Sequence, residues 1–174
     1  GILLDIPAGS ESAVAALNNA GFTFKTMLLG NMPGSIAETS TIACLLGAAI
    51  LLITGVGSWR IMLSCFLGLF VTATTANFMG TSLASQIPPH YHIVMGGFAF
   101  GAIFMATDPV SAASTKLGKW IYGFMIGMLI VVIRVANPAF PEGVMLSILF
   151  MNIVAPLIDH YVVAAHIKRR SRNG

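Results

Sequence analysis

Charge is what this sequence has least of. Only 9% of its 174 residues are charged, against about 25% in an ordinary soluble domain, while 56% are hydrophobic and the mean hydropathy is +0.87. Such a balance excludes both a soluble globular domain and a disordered chain. Six acids and nine bases leave a net charge of +3, yet four of those bases, Lys168, Arg169, Arg170 and Arg172, stand in one tail. Too few remain to build the basic face that tracks a phosphate backbone, so a nucleic-acid binder is excluded as well. Cysteine is nearly absent. Cys44 and Cys65 both lie in apolar runs and no C-x-x-C occurs, which gives no iron–sulfur or zinc site within the chain and leaves two small buried hydrophobes. No charged n-region precedes a short apolar core, so no signal peptide is expected within these residues. A start at Gly1 instead of Met points to a fragment or a processed chain.

What remains is an all-α polytopic membrane protein. A bilayer core needs about 20 apolar residues per helix. Five runs qualify as expected spans: Glu38 to Val56, Ile61 to Met79, His92 to Ala106 (which is short), Trp120 to Val135, and Val144 to Val163 with Pro156 inside it. None alternates as barrel strands do. The expected layout is an outer-side loop or interfacial segment over 1–35, a five-helix membrane domain over 36–165, and a basic tail over 166–174. Within the first part, Ser12 to Leu29 fits either an interfacial amphipathic helix or a structured extramembrane loop.

The positive-inside rule orients the spans. Arg60, Lys116, Lys119 and the tail bases fall on one side, seven in all, and Lys25 and Arg134 on the other. The first side, with the C-terminus, is therefore expected to be cytoplasmic. Trp59 and Trp120 fall at boundaries on that side, as interfacial anchors do. Gly1 is expected outside, with further spans before it.

Carboxylates at membrane depth are costly and informative. Three of the six acids sit at span edges or within apolar runs: Glu38 at the outer start of the first span, Asp108 at the inner end of the third, and Asp159 near the inner end of the fifth. Ser35 with Glu38 fits a capping box, and Asp108 before Pro109 fits an N-cap with Pro at N1. The alternative is that broken helix ends line a cavity, where carboxylate, hydroxyl and freed carbonyl oxygens bind a small hard cation. Asp159 beside His160 is either a solvated interfacial pair or a place where a proton or cation enters, and Pro156 frees a carbonyl nearby. Glu142 reads as an outer-loop residue, with Arg134 pairing to it or snorkelling. His90, His92, His160 and His166 lack the spacing of a bis-His haem site and read as interfacial. Gly97-x-x-x-Gly101 and Gly123-x-x-x-Gly127 permit close helix packing.

Several strings together resemble a known family. They are Ser58-Trp59-Arg60-Ile61, Gly96-Gly97-Phe98-Ala99-Phe100-Gly101, Phe104-Met105-Ala106-Thr107-Asp108-Pro109-Val110-Ser111-Ala112, Gly118-Lys119-Trp120, Ile133-Arg134-Val135, Asn137-Pro138-Ala139-Phe140-Pro141-Glu142-Gly143, Ala155-Pro156-Leu157-Ile158-Asp159-His160 and Ile167-Lys168-Arg169-Arg170. From about Gly30 onwards the chain resembles the NqrB subunit of the bacterial Na+-translocating NADH:quinone oxidoreductase (Nqr complex) and its relative, the RnfD subunit of the Rnf-type electron-transport complex. The Asp-Pro, Asn-Pro and Lys-Arg-Arg signatures favour the former. The resemblance implies about ten helices in two inverted repeats of a urea-transporter-like fold, of which this chain would supply the second. It also implies a bacterial inner-membrane location, ubiquinone as electron acceptor, lipid around the helices and partners among the other subunits of a six-subunit complex.

The resemblance further implies flavin. FMN is carried in the family on the Thr of a Ser-Gly-Ala-Thr motif, and riboflavin is associated with the complex. That motif is absent here; Gly9-Ser10-Glu11-Ser12 does not match it, so the covalent site is expected upstream of Gly1. The candidate flavin surroundings are Ser35, Glu38, Thr39 and Ser40. Glu38, Asp108 and Asp159 match acids implicated in Na+ passage, so the expected function is coupling of NADH-to-ubiquinone electron transfer to Na+ export. The competing readings are half of a passive urea- or ammonium-type transporter, an Rnf-type subunit, and a structural anchor whose acids only cap helices.

Overall fold

The computed structural model describes residues 17–18, 21, 23–30, 40–79, 87–95, 97–136 and 143–173. The described elements are helical: α1 (Phe24–Leu29), α2 (Thr41–Ile53), α3 (Trp59–Met79), α4 (Pro89–Val94), α5 (Phe98–Phe100) running into a π-helical turn (Gly101–Met105), α6 (Lys116–Ala136) and α7 (Gly143–Asn173). Three of them, α3, α6 and α7, are long and apolar enough to cross a membrane. At about 1.5 Å per residue, the 21 residues of α3 or α6 match a hydrocarbon core of about 30 Å. The 31 residues of α7 exceed that thickness, and its last turns leave Lys168, Arg169 and Arg170 exposed.

The other two expected spans are shorter than the sequence suggests. The first is the 13-residue α2. Ser40 caps it by accepting from the Ala43 amide, and the Thr54 hydroxyl donates back to the Ile50 carbonyl at its end, before Gly55 turns the chain at φ +71°. The third is not one helix. It breaks between α4 and α5, where Gly97 adopts φ +65°, a backbone that glycine alone enters without strain. The stretch from Ser12 to Leu29 is likewise not one helix among the described residues, because Gly21 turns it at φ +84° ahead of α1.

α3 and α6 lie side by side and parallel. Small residues let their backbones touch. A Cβ on Gly68 would come within 2.2 Å of the Phe124 carbonyl oxygen, one on Gly123 within 2.0 Å of Ser64 Oγ, and one on Gly127 within 2.2 Å of the Cys65 carbonyl oxygen. The Ser64 hydroxyl is shared between the carbonyls of Ile61 (3.0 Å) and Lys119 (3.3 Å). The second Gly-x-x-x-Gly spacing therefore marks a real helix contact. Trp59 and Trp120 meet edge to face at 6.1 Å, which brings the starts of both helices to one level. Arg60 lies over the Trp59 ring at 5.0 Å. This basic end of the bundle is the one that the charge count singles out.

α7 runs antiparallel to α6, closing the core around Phe98, Ala102, Tyr122, Ile126 and Ile148. Gly101 admits α7, since a Cβ there would sit 2.3 Å from Val144 Cγ1. The outward face of α7 carries exposed Leu149, Phe150, Ile153 and Leu157, an apolar surface far too large for water and suited to lipid or a membrane partner. Cys44 and Cys65 are both buried, and no cluster of three or more metal-ligating side chains assembles among the described residues.

Candidate functional site

The basic end gathers polar groups around the loop between the π-helical turn and α6. The π turn closes with the Ala106 amide donating to the Gly101 carbonyl five residues back, at 2.8 Å. Such turns widen a helix and recur where function needs an irregular backbone. The Thr107 hydroxyl donates to the Ile103 carbonyl and is buried there, so the helix ends in satisfied polar groups.

Asp108 follows. Its Oδ2 accepts from the Ser111 hydroxyl at 2.7 Å and the Ser111 amide at 3.1 Å. The Ala112 amide returns to the Asp108 carbonyl at 3.1 Å. The carboxylate thus closes one isolated turn, as an N-cap would, but no helix continues from Pro109. The Ser111 hydroxyl, then its amide, holds the Asp108 carboxyl below the ordinary carboxylate range. A half-buried carboxylate that stays ionised, with both strong bonds on one oxygen, keeps acceptor capacity on Oδ1.

Asp159 reaches the same loop from α7. Its Oδ2 accepts from the Ser114 amide at 2.6 Å, and its Oδ1 from the Thr115 amide at 3.1 Å and the Thr115 hydroxyl at 2.6 Å. Thr115 is in turn the N-cap of α6, accepting from the Gly118 amide at 3.0 Å. A carboxylate at a helix N-terminus is favoured by the helix dipole and the unpaired amides there. Three of its roughly four acceptor sites are taken, so Asp159 serves first as a staple between α6 and α7.

Asp108 and Asp159 thus bind different residues of this loop, Ser111 for the first and Ser114 and Thr115 for the second. They hold opposite ends of one loop, and among the described residues no group of three or more His, Cys, Asp or Glu side chains assembles. Glu38, Ser35 and Thr39 lie outside the described residues. Ser40, the one of these four candidates that is described, accepts from the Ala43 amide at the α2 cap and keeps its own proton to donate. Glu142 is also outside them. Arg134 spans two carbonyls at the opposite end of α6, donating through Nη1 to His92 (3.0 Å) and through Nη2 to Met95 (2.7 Å). That satisfies the open end of α4. Of the four histidines, His90, His160 and His166 are exposed as expected of interfacial residues, but His92 is buried, with Nδ1 unpartnered.

Sequence reasoning missed one pair. The Tyr122 hydroxyl and Asn152 Oδ1 are hydrogen-bonded across the α6–α7 contact. Thirty residues apart, they carry no motif. The available signal was Pro156 four residues after Asn152.

The chain is 50% identical over 169 residues to the NqrB subunit of the Na(+)-translocating NADH-quinone reductase of Chromohalobacter salexigens, covering 96% of this chain and 41% of that protein. It is 53% identical over 157 residues to the same-named subunit of Pseudomonas paraeruginosa (88% and 39% covered), and 50% identical over 168 residues to that of Klebsiella pneumoniae (95% and 41%). The chain thus spans about two fifths of the length of the curated relatives it matches. A family profile matches residues 5–168. With nearly its whole length matched and three helices fit to span a bilayer, this multi-pass membrane chain belongs to the NQR2, RnfD, RnfE family.

Proposed function

We propose that this chain forms part of the membrane subunit of a redox-driven Na+ pump, in which electron transfer from NADH to ubiquinone drives Na+ export. The relatives at about 50% identity are named for Na(+)-translocating NADH-quinone reductase. The observation that carries the reading to these residues is Asp108. It is a half-buried carboxylate held ionised at a break in a membrane helix, with acceptor capacity left over. Hard oxygen ligands at a broken helix suit a small cation.

In this reading α2 and the broken α4–α5 segment join the three long helices as five membrane elements, one inverted repeat of a larger subunit. The basic end faces the cytoplasm of a bacterium, and the other Nqr subunits and lipid cover the exposed apolar faces. The residues Ser35, Glu38, Thr39 and Ser40 would line the approach to a flavin held mainly by parts of the complex outside this chain. The flavin, FMN or riboflavin, supplies the electron whose charge the ion compensates. This chain's contribution is a place for that ion. Asp108 Oδ1 offers it a ligand, Ser111 keeps the carboxylate charged, and Asp159 fixes the loop by anchoring Ser114 and Thr115. At an effective dielectric of about 20, unit charges 4 Å apart interact by about 4 kcal/mol, enough for coupling between ion and electron.

The test is Asp108→Ala in the assembled complex. Na+ stimulation of ubiquinone reduction should fall with electron input from NADH intact. An unchanged Na+ dependence would sink the assignment.

A further inference from the structure

The Tyr122–Asn152 pair has no role in the loop just described, and as packing it is costly. Tyr122 is completely buried, among Ile126, Ala102, Ala106 and Ala155. Phe and Leu would fill the same volume without two polar groups to desolvate. The pair also stands in register with the acid-clamped loop. Thr115 to Tyr122 is seven residues on α6, and Asn152 to Asp159 is seven on α7. Two helical turns, about 10 Å, therefore separate the Thr115–Asp159 rung from the Tyr122–Asn152 rung.

Asn152 contributes a second oxygen. Pro156 lies four residues later inside α7 and has no N–H, so the Asn152 carbonyl lacks its helical donor. Tyr122 Oη and Asn152 Oδ1 meet across the α6–α7 contact, and the Asn152 carbonyl adds a third neutral oxygen on the same residue. The mutual hydrogen bond uses one proton and one lone pair, and each oxygen retains acceptor capacity. The compensating charge lies in the acid-clamped loop two helical turns away, where Asp159 stands on the same helix as Asn152. Neutral oxygens with so little charge about them match a monovalent ion; a divalent one demands more charge.

We propose that Tyr122 and Asn152, with the carbonyl freed by Pro156, form an oxygen-lined station for a dehydrated monovalent cation, two helical turns into the membrane from the Asp108–Asp159 loop. The proposal rests on the Na+-passage reading above and adds the place where the ion sheds water and is selected. Tyr122→Phe and Asn152→Leu remove ligands while conserving volume, and Asn152→Asp restores an oxygen.

Each is made in the full complex and assayed for Na+-stimulated ubiquinone reduction, for the ratio of Li+ to Na+ stimulation, and for flavin content as a check on assembly. The expected result is about a tenfold rise in the Na+ concentration for half-maximal turnover and a changed Li+ to Na+ ratio in Tyr122→Phe and Asn152→Leu, with Asn152→Asp recovering most of the loss. Flavin-replete Tyr122→Phe and Asn152→Leu complexes with wild-type half-saturation and wild-type ratio overturn the station. If Asn152→Leu fails to assemble, Tyr122→Phe and Asn152→Asp decide by the same ratio. Asp108→Ala separates the two levels. A Na+ effect there without one at Tyr122 or Asn152 removes the station alone, whereas no effect at any of the three removes the passage reading as well.

Discussion

Asp159 Oδ1 sits where a Cβ on Gly118 would lie, 2.5 Å away. The carboxylate comes from α7, the glycine from the first turn of α6, and the absence of a side chain at Gly118 is what lets one helix cap the other. Thr115 Oγ1 would be closer still, at 2.4 Å. The same small volume thus holds the N-cap of α6, the staple to α7 and the end of the Asp108 loop.

Gly118→Ala should therefore break the staple even though alanine is the better helix former. The loop backbone cannot retreat without losing the Ser114 and Thr115 bonds. Overpacking of this kind costs about 1–3 kcal/mol. The expected outcome is a lower thermal midpoint of the detergent-solubilised complex, and Asp159→Asn, which weakens the bonds without adding bulk, should lower it less. A Gly118→Ala complex as stable as the parent would show that the cap is not under tension.

Ser111→Ala tests what keeps Asp108 charged. The Ser111 hydroxyl is the largest influence holding the carboxyl below its usual range. A depressed folded-state value means that the ionised form, and the stability it brings, is present above the unfolded value and is lost as pH falls through the folded one. Removing the hydroxyl moves the carboxyl back up. The acidic limb of the pH profile for Na+ stimulation should shift to higher pH in Ser111→Ala, while Ser111→Thr, which keeps a hydroxyl, should retain the parent profile. Coincident acidic limbs for all three proteins would separate Asp108 from the pH dependence.

Gly127→Val places two methyls where α3 and α6 meet backbone to backbone. The Cβ alone would already be 2.2 Å from the Cys65 carbonyl oxygen and 2.6 Å from the Leu69 amide nitrogen. Neither can yield without unwinding α3. This variant should not assemble, as seen by loss of the subunit from purified complex, whereas a valine at the exposed Leu149 of α7 should be tolerated within about 0.5 kcal/mol. An assembled, active Gly127→Val complex would mean that α3 and α6 separate freely.

These contacts also mark how far the sequence could be read. The placement of Trp59 and Trp120 at one end was legible from the span boundaries and the charge asymmetry together, and their edge contact at 6.1 Å agrees. Asp108 and Asp159 stood out because a membrane chain spends few acids. Their division of labour did not, since it depends on Ser111 being local to one and Thr115 being 44 residues from the other. Hydropathy reads His92 to Ala106 as a short span because it averages over Gly97, whose left-handed backbone splits it. Asn152 lay hidden in an apolar helix until Tyr122 appeared beside it.

Arg134→Lys addresses the opposite end of α6. Among the described residues, the two terminal nitrogens of Arg134 hold the carbonyls of His92 and Met95. A planar fork bridges two acceptors that a lysine ammonium, a point donor on a flexible stem, does not hold together. Hydrogen bonds to a charged group contribute about 1.5–3 kcal/mol each, so losing one should loosen α4 without unfolding the bundle. The readout is amide hydrogen exchange. Protection over Pro89–Val94 and at Met95 should drop in Arg134→Lys, while the centre of α6 around Ile126 stays protected. Because α4 packs against α1 through Phe24, which contacts His90 and Tyr91 at 5.6 Å each, exchange in Phe24–Leu29 should rise in step. Faster exchange in α4 with no change in α1 would show that the aromatic contact does not transmit the loosening.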